Sequence, residues 1–245
     1  MVKIIHLKER SIEMLKKDLI LRNPLRLVGE ETGHVLKPGS FGALVARAGV
    51  GKTALLVQLA LDSLLRGKNC LHICLDQPVK KVCLWYEEVF RHIAKQYKLT
   101  QTTELWEEIL PHRFVMTFNV DTFSVPKLEE RLNDLIEQGI FYPQIVLVDG
   151  LPFNEEVREV LSEFKLLARA HSMRVWFAVK SHRHQESSDN EIPIPLKAVE
   201  DLFDVILNLE PEGNIVKVKA LKGIEKQQDA GLVLDPATLL IKDAA

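Results

Sequence analysis

The sequence predicts an α/β fold, a doubly wound and mainly parallel sheet with an antiparallel C-terminal edge, and three observations predict it. Apolar runs of strand length at 41–46, 70–75, 114–118, 144–149 and 174–179 alternate with stretches whose apolar residues recur at helical spacing. These runs are almost continuously apolar, as strands covered on both faces are. From residue 202 the pattern changes. The runs 202–209 and 215–221 flank Pro211-Glu212-Gly213-Asn214, and 231–234 and 239–241 flank Asp235-Pro236; both are hairpin signals.

The elements follow in order. Residues 9–22 place Ile12, Leu15, Leu19 and Ile20 at helical spacing between charges, which predicts a small docking helix. The stretch 23–40 holds Asn23-Pro24, Gly29, Gly33 and Pro38-Gly39 and reads as an irregular arm leading to the first strand, placed to cover part of a bound ligand. Ala54, Leu55, Val57, Leu59, Ala60 and Leu64 give the stretch after that strand an apolar helical face, and Arg66-Gly67-Lys68-Asn69 closes it. The second strand, 70–75, ends at Asp76. Its Cys70, His72 and Cys74 share one face, either as a metal set or as the small groups that a strand buried on both sides needs. Trp85, Tyr86, Val89, Phe90 and Ile93 form a helical core stripe, and Leu128, Leu132 and Leu135 mark another helix after the third strand. The fourth strand ends at Asp149, a helix is expected from about 154 to 171, and the fifth strand runs into Lys180, Ser181, His182, Arg183 and His184. The polar segment 184–195 reads as a surface loop.

Composition narrows the function classes. A chain of 245 residues with 47% hydrophobic content supports one substantial core. A net charge of −2 and a pI near 6.5 exclude a strongly basic surface overall, so nucleic acid is a possible but not a favoured partner. Cys70, Cys74 and Cys83 make an odd number without a framework spacing, which fits a reducing cytoplasm better than secretion. The first eight residues are too short and too charged for a signal peptide, and no apolar run is long enough to span a membrane.

The chemistry concentrates after the first strand, in Ala46-Arg47-Ala48-Gly49-Val50-Gly51-Lys52-Thr53-Ala54. This pattern reads as a phosphate-binding loop. Gly49 and Gly51 permit a tight turn that aims N–H groups inward, Lys52 supplies a point charge for β- and γ-phosphates, and Thr53 offers a hydroxyl to Mg2+. The first position of the usual pattern is Gly, and here it is Ala46. Asp149, at the carboxyl end of a parallel strand, stands at the ligand edge of such a sheet and is the expected acid near Mg2+.

Ala46 to Thr53, Leu75-Asp76 after the second strand, Asp121-Thr122 after the third, Asp149 after the fourth, and the stretch 164–169 together resemble the ATPase domain of the RecA superfamily, particularly the DnaB-like replicative helicases. The likeness spans about 38–242, which divides the chain into an N-terminal helix and irregular arm (1–37) and a RecA-like P-loop ATPase domain (38–245). It implies ATP and Mg2+ as ligands, with residues 46–54 at the nucleotide and Thr53 and Asp149 at the metal. It also implies a homo-oligomer with ATP at the subunit interface. Asp76 falls where the family has a glutamate that polarises the attacking water; the side chain is one methylene shorter, so slow hydrolysis is expected, with a role as helix N-cap or turn residue before Pro78 as the alternative. Ser181 falls where the family has a γ-phosphate-sensing glutamine. Lys219 and Lys222 fall where the family reaches into the neighbour's ATP, and Lys222 is expected to act there. No stretch of these 245 residues resembles the helicases' N-terminal collar. The alternatives are an assembly module that binds nucleotide with little hydrolysis, a DNA-dependent helicase or recombinase motor, and a small-molecule kinase. The short, uncharged link after Asp149 argues against a translocating motor.

Overall fold

The computed structural model of the protein describes residues 2–24, 36–181, 191–224 and 232–243, with side chains from residue 11 onward. Among them lies one nine-stranded sheet flanked by helices on both faces. The elements run α1 (Val2–Arg22), β1 (Phe41–Ala46), α2 (Lys52–Leu65), β2 (Cys70–Cys74), α3 (Val79–Gln96), α4 (Thr102–Ile109), β3 (Arg113–Thr117) and α5 (Val125–Glu137). They continue through β4 (Ile145–Asp149), α6 (Val157–Ala170), β5 (Arg174–Lys180), α7 (Ile194–Lys197), β6 (Val205–Glu212), β7 (Ile215–Lys222), β8 (Leu232–Leu234) and β9 (Ile241–Asp243).

The strand order is β3-β2-β4-β5-β1-β6-β7-β8-β9. Every pairing from β3 across to β6 is parallel, and β6 to β9 pair antiparallel, as the change of pattern at residue 202 predicts. The continuously apolar runs are explained by burial: β1, β2 and β4 are buried at every position. Along β1, Leu44 and Ala46 face the layer that holds α2 and α3, while Phe41, Ala43 and Val45 face the layer of α5 and α6. A ring cluster of Phe41, Phe164, Phe177 and Phe203 fills that second layer, with centroids 5.0 to 6.0 Å apart.

Several boundaries differ from expectation. The first helix begins at Val2, not residue 9, and its Leu19 is 2% exposed in the same core as α2. The helix after Asp149 begins at Val157, because Asn154 to Glu156 form a turn closed by a bond from Val157 N–H to Asn154 O, 3.3 Å. Helix α4 is an addition, and only its Leu105 and Ile109 are buried. Cys70, His72 and Cys74 are buried, and among the described residues no group of three or more His, Cys, Asp or Glu is arranged to hold a metal ion. The arm at 25–35 and the residues 182–190, which include His182, Arg183 and His184, lie outside the described residues. Among those described, no helix is long and apolar enough to cross a membrane.

Candidate functional site

Because β1, β2, β4 and β5 are parallel, their carboxyl ends share one edge of the sheet, and the residues just past them meet there. The chain turns at 47–51 before α2. Gly49 has φ 80° and Gly51, the N-cap of α2, has φ 114°, values that disfavour any side chain. A Cβ on Gly51 would also lie 2.5 Å from Leu234 Cδ2, so β8 closes over the back of this turn. The loop is thus shaped by its own glycines and by the C-terminal hairpin.

A cleft of 940 Å³ opens at this edge, within the roughly 300–1,000 Å³ usual for small-molecule sites. Ala48, Gly49, Lys52, Thr53, Asp76 and Asp149 all line it. Thr53 Oγ1 donates to Asp149 Oδ2 at 2.8 Å, joining residues 96 positions apart. Lys52 Nζ donates to the carbonyls of Ala46 and Arg47 at 2.8 and 2.9 Å, so its ammonium is folded back over the loop. Asp76 is exposed and stands against the turn after β4: a Cβ on Gly150 would lie 2.9 Å from its Cγ. It does not cap α3, whose N-cap is Pro78 with no side-chain hydrogen bond. The N-cap half of the alternative is therefore not what the structure adopts, while its other half stands, since Asp76 lies in the bend just before Pro78.

The electrostatics of the cleft are unbalanced. Burial pushes the Lys52 amine below its ordinary value; Asp149 opposes this and the charge of Lys180 adds to it. Burial pushes Asp149 above the carboxylate range, against the hydrogen bond from Thr53, and the nearby charge of Asp76 adds to the rise. An anion beside the lysines and a cation beside the aspartates would relieve both. The donor set fits such a pair: a hydroxyl and carboxylates are hard oxygen ligands of the kind Mg2+ takes, and a glycine turn heading a helix offers N–H groups to phosphate.

The remaining expected site residues are distributed as follows. Ala46 and Ala54 are buried as the last residue of β1 and part of the first turn of α2, Val50 packs on the core, and Arg47 is half-buried in the loop. Ser181 donates its N–H to Ala46 O at 3.0 Å, which ties the end of β5 to the base of the loop. Lys222 is not in the cleft of its own chain. It pairs with Ile206, which is level with Ala43 of β1, and its Nζ donates to Glu200 O at 2.8 Å, toward the opposite edge of the sheet. Lys219, level with Asn208, is closer to the loop edge and pairs with Glu210 at 3.5 Å.

Gln77, Glu155 and Lys180 are among the lining residues to which the sequence reading gives no site role. Gln77 carries a buried Oε1 without a hydrogen-bond partner among the described residues. The signal for Lys180 was available, since a charge ends the apolar run of β5 just as Asp149 ends that of β4. No protein-family model matches the chain, and no curated protein sequence matches it either.

Proposed function

We propose that the protein is a Mg-ATP-binding, ATP-hydrolysing P-loop ATPase with a RecA-like core, related to the ATPase domain of DnaB-like replicative helicases and acting in an oligomeric assembly. The observation that carries this reading is the 2.8 Å hydrogen bond from Thr53 Oγ1 to Asp149 Oδ2, immediately after Lys52 and at the head of a helix entered through left-handed glycines. Thr53 and Asp149 are the residues that would hold Mg2+, which when bound offsets phosphate charge. Lys52 would exchange two neutral carbonyls for anionic phosphate oxygens, which adds the attraction between opposite charges to bonds its ammonium already makes. Asp76, accessible at the end of β2, accepts the proton of a water that attacks the terminal phosphorus as the bond to the diphosphate oxygen breaks.

Titration with Mg-ATP and a turnover assay test the reading. Wild type is expected to bind, Lys52→Ala to lose binding or turnover, and Asp76→Asn to keep binding and lose turnover. Equal affinity of wild type and Lys52→Ala refutes the nucleotide site. Binding without turnover in wild type leaves the second reading, a nucleotide-gated assembly module.

A further inference from the structure

We propose that Cys74 is a positioning residue for Asp76: its thiol tethers one carboxylate oxygen so that the other is presented to the attacking water, which compensates for the short reach of the aspartate. The inference rests on the hydrolytic reading above. It starts from the end of β2. Cys74 is level with Asp149 on one side and with Thr117 on the other. Its carbonyl accepts from Phe118 N–H at 3.0 Å, and the N–H of Leu75 donates to Asp149 O at 2.9 Å, so both neighbouring strands hold the backbone at this point. The chain then bends over 75–77, and Asp76 is exposed at that bend. Cys74 is 1% exposed, so packing fixes its sulfur beneath a carboxylate that packing does not fix.

The sulfur organises the bend. Sγ accepts from the backbone N–H groups of Asp76 and Gln77 and donates to Asp76 Oδ1 at 3.4 Å. Burial pushes the thiol up to about 11, the Asp76 carboxylate adding to the rise and the two N–H groups opposing it, so the form that faces Oδ1 is the protonated donor. Gly150 closes the other side. Its φ is 89°, and a Cβ there would lie 2.9 Å from Asp76 Cγ and 3.0 Å from Oδ1, so only a glycine leaves room for the carboxylate in this place. Oδ1 is therefore confined between the thiol and the backbone of Gly150, while Oδ2 has no hydrogen-bond partner among the described residues. A general base works only within hydrogen-bond reach of the proton that it takes, and a small misplacement is costly. The bond is a tether, weak enough for Asp76 to adjust to a ligand and sufficient to keep Oδ2 free for the water.

The test is steady-state turnover of Mg-ATP and calorimetric binding of Mg-AMP-PNP by the full chain, for wild type, Cys74→Val, Cys74→Ser, Asp76→Asn and the double variant Cys74→Val/Asp76→Asn. Cys74→Val, which keeps an apolar group of similar size and removes the donor, is expected to lower kcat about three- to tenfold, with KM and AMP-PNP affinity within about twofold of wild type. Cys74→Ser keeps a donor and is expected to hold kcat within about twofold of wild type. In the Asp76→Asn background, Cys74→Val is expected to change kcat by less than about twofold, because its effect runs through the carboxylate. Wild-type kcat in Cys74→Val, a Cys74→Ser as slow as Cys74→Val, or additive losses in the double variant overturn the proposal and leave the hydrolytic reading in place. If Cys74→Val does not fold, Cys74→Ala takes its place in the same comparisons. A wild type that does not turn over, or an Asp76→Asn variant that turns over like wild type, overturns the hydrolytic reading and this proposal with it.

Discussion

Gln58 is a polar side chain in the middle of α2, 5% exposed, and its removal should destabilise the protein far more than its single position implies. Its Nε2 donates to Leu239 O at 2.8 Å, and its Oε1 accepts from Ile241 N–H at 2.8 Å. One amide thus satisfies both backbone groups at the turn between β8 and β9. Gln58→Ala leaves a buried N–H and a half-buried carbonyl unpartnered, each costing about 1–3 kcal/mol with the exposed one at the low end. The expected loss is about 2–4 kcal/mol, a large share of the ~5–15 kcal/mol that a domain possesses. With a urea m-value of about 3 kcal/mol/M, the unfolding midpoint falls by about 1 M. Gln58→Glu sharpens the test. A carboxylate facing Leu239 O favours the protonated acid in the folded state, so its folded pKa stands above the ordinary ~4.3. Its deficit is then small below pH ~4.3 and grows as pH rises through the folded value. A loss under about 1 kcal/mol for Gln58→Ala, or a deficit for Gln58→Glu that does not change with pH, refutes the reasoning.

Three further outcomes are expected. His72 is buried with Nδ1 3.1 Å from Tyr86 Oη, and burial, aided by the charge of Arg113, pushes it down to about 4. Its contribution is constant above pH ~6.5 and is lost as pH falls toward 4, about 3 kcal/mol in all, because only the unfolded chain takes the proton; urea midpoints at pH 7 and 4.5 that differ as much in His72→Asn as in wild type contradict this. If ATP lies between subunits, turnover per chain rises with protein concentration and Lys222→Ala lowers turnover more than binding; concentration-independent turnover unaffected by Lys222→Ala speaks against the assembly. Single-stranded DNA should bind weakly near physiological salt, because the link after Asp149 carries no Lys or Arg and its Phe153 is packed on Phe177 and Phe203, centroids 6.4 and 6.3 Å away; salt-dependent binding abolished by Arg183→Glu would show the opposite.

Strands β1, β2 and β4 were legible because burial on both faces leaves an unbroken apolar run, and the hairpins because Pro211 to Asn214 and Asp235-Pro236 interrupt the last runs. Helix α4 was not legible, since its two buried residues lie among Glu104, Glu107 and Glu108 and make too short a stripe to register. Glu155 and Glu156 resembled a helical first turn but belong to the turn before it. In the site, local chemistry marked 46–54 and Asp149 as candidates, the family resemblance added Asp76, and the cleft brings Lys52, Thr53, Asp76 and Asp149 together. What local pattern could not convey was strand order and register. The insertion of β4 and β5 between β2 and β1 brings Asp149 to Thr53, and the antiparallel return of β7 carries Lys222 toward the far edge.

The same contacts divide the cleft into stiff and adjustable parts. The backbone of the loop is backed by Leu234 at Gly51, α2 is pinned through Gln58 to the C-terminal hairpin, and Asp149 ends a strand buried at every position. Lys52, Lys180 and Asp76 are different: among the described residues one is held by two carbonyls of its own loop, and the others are exposed at strand ends. Rebuilding the loop would require breaking core packing around Leu234, whereas moving these side chains costs rotamer freedom, the two hydrogen bonds of Lys52 and the weak one that Asp76 accepts from Cys74 Sγ. On the proposed reading, binding therefore proceeds by side-chain swings within a preformed frame. The loop backbone then keeps its form on binding, and the charged side chains carry the change.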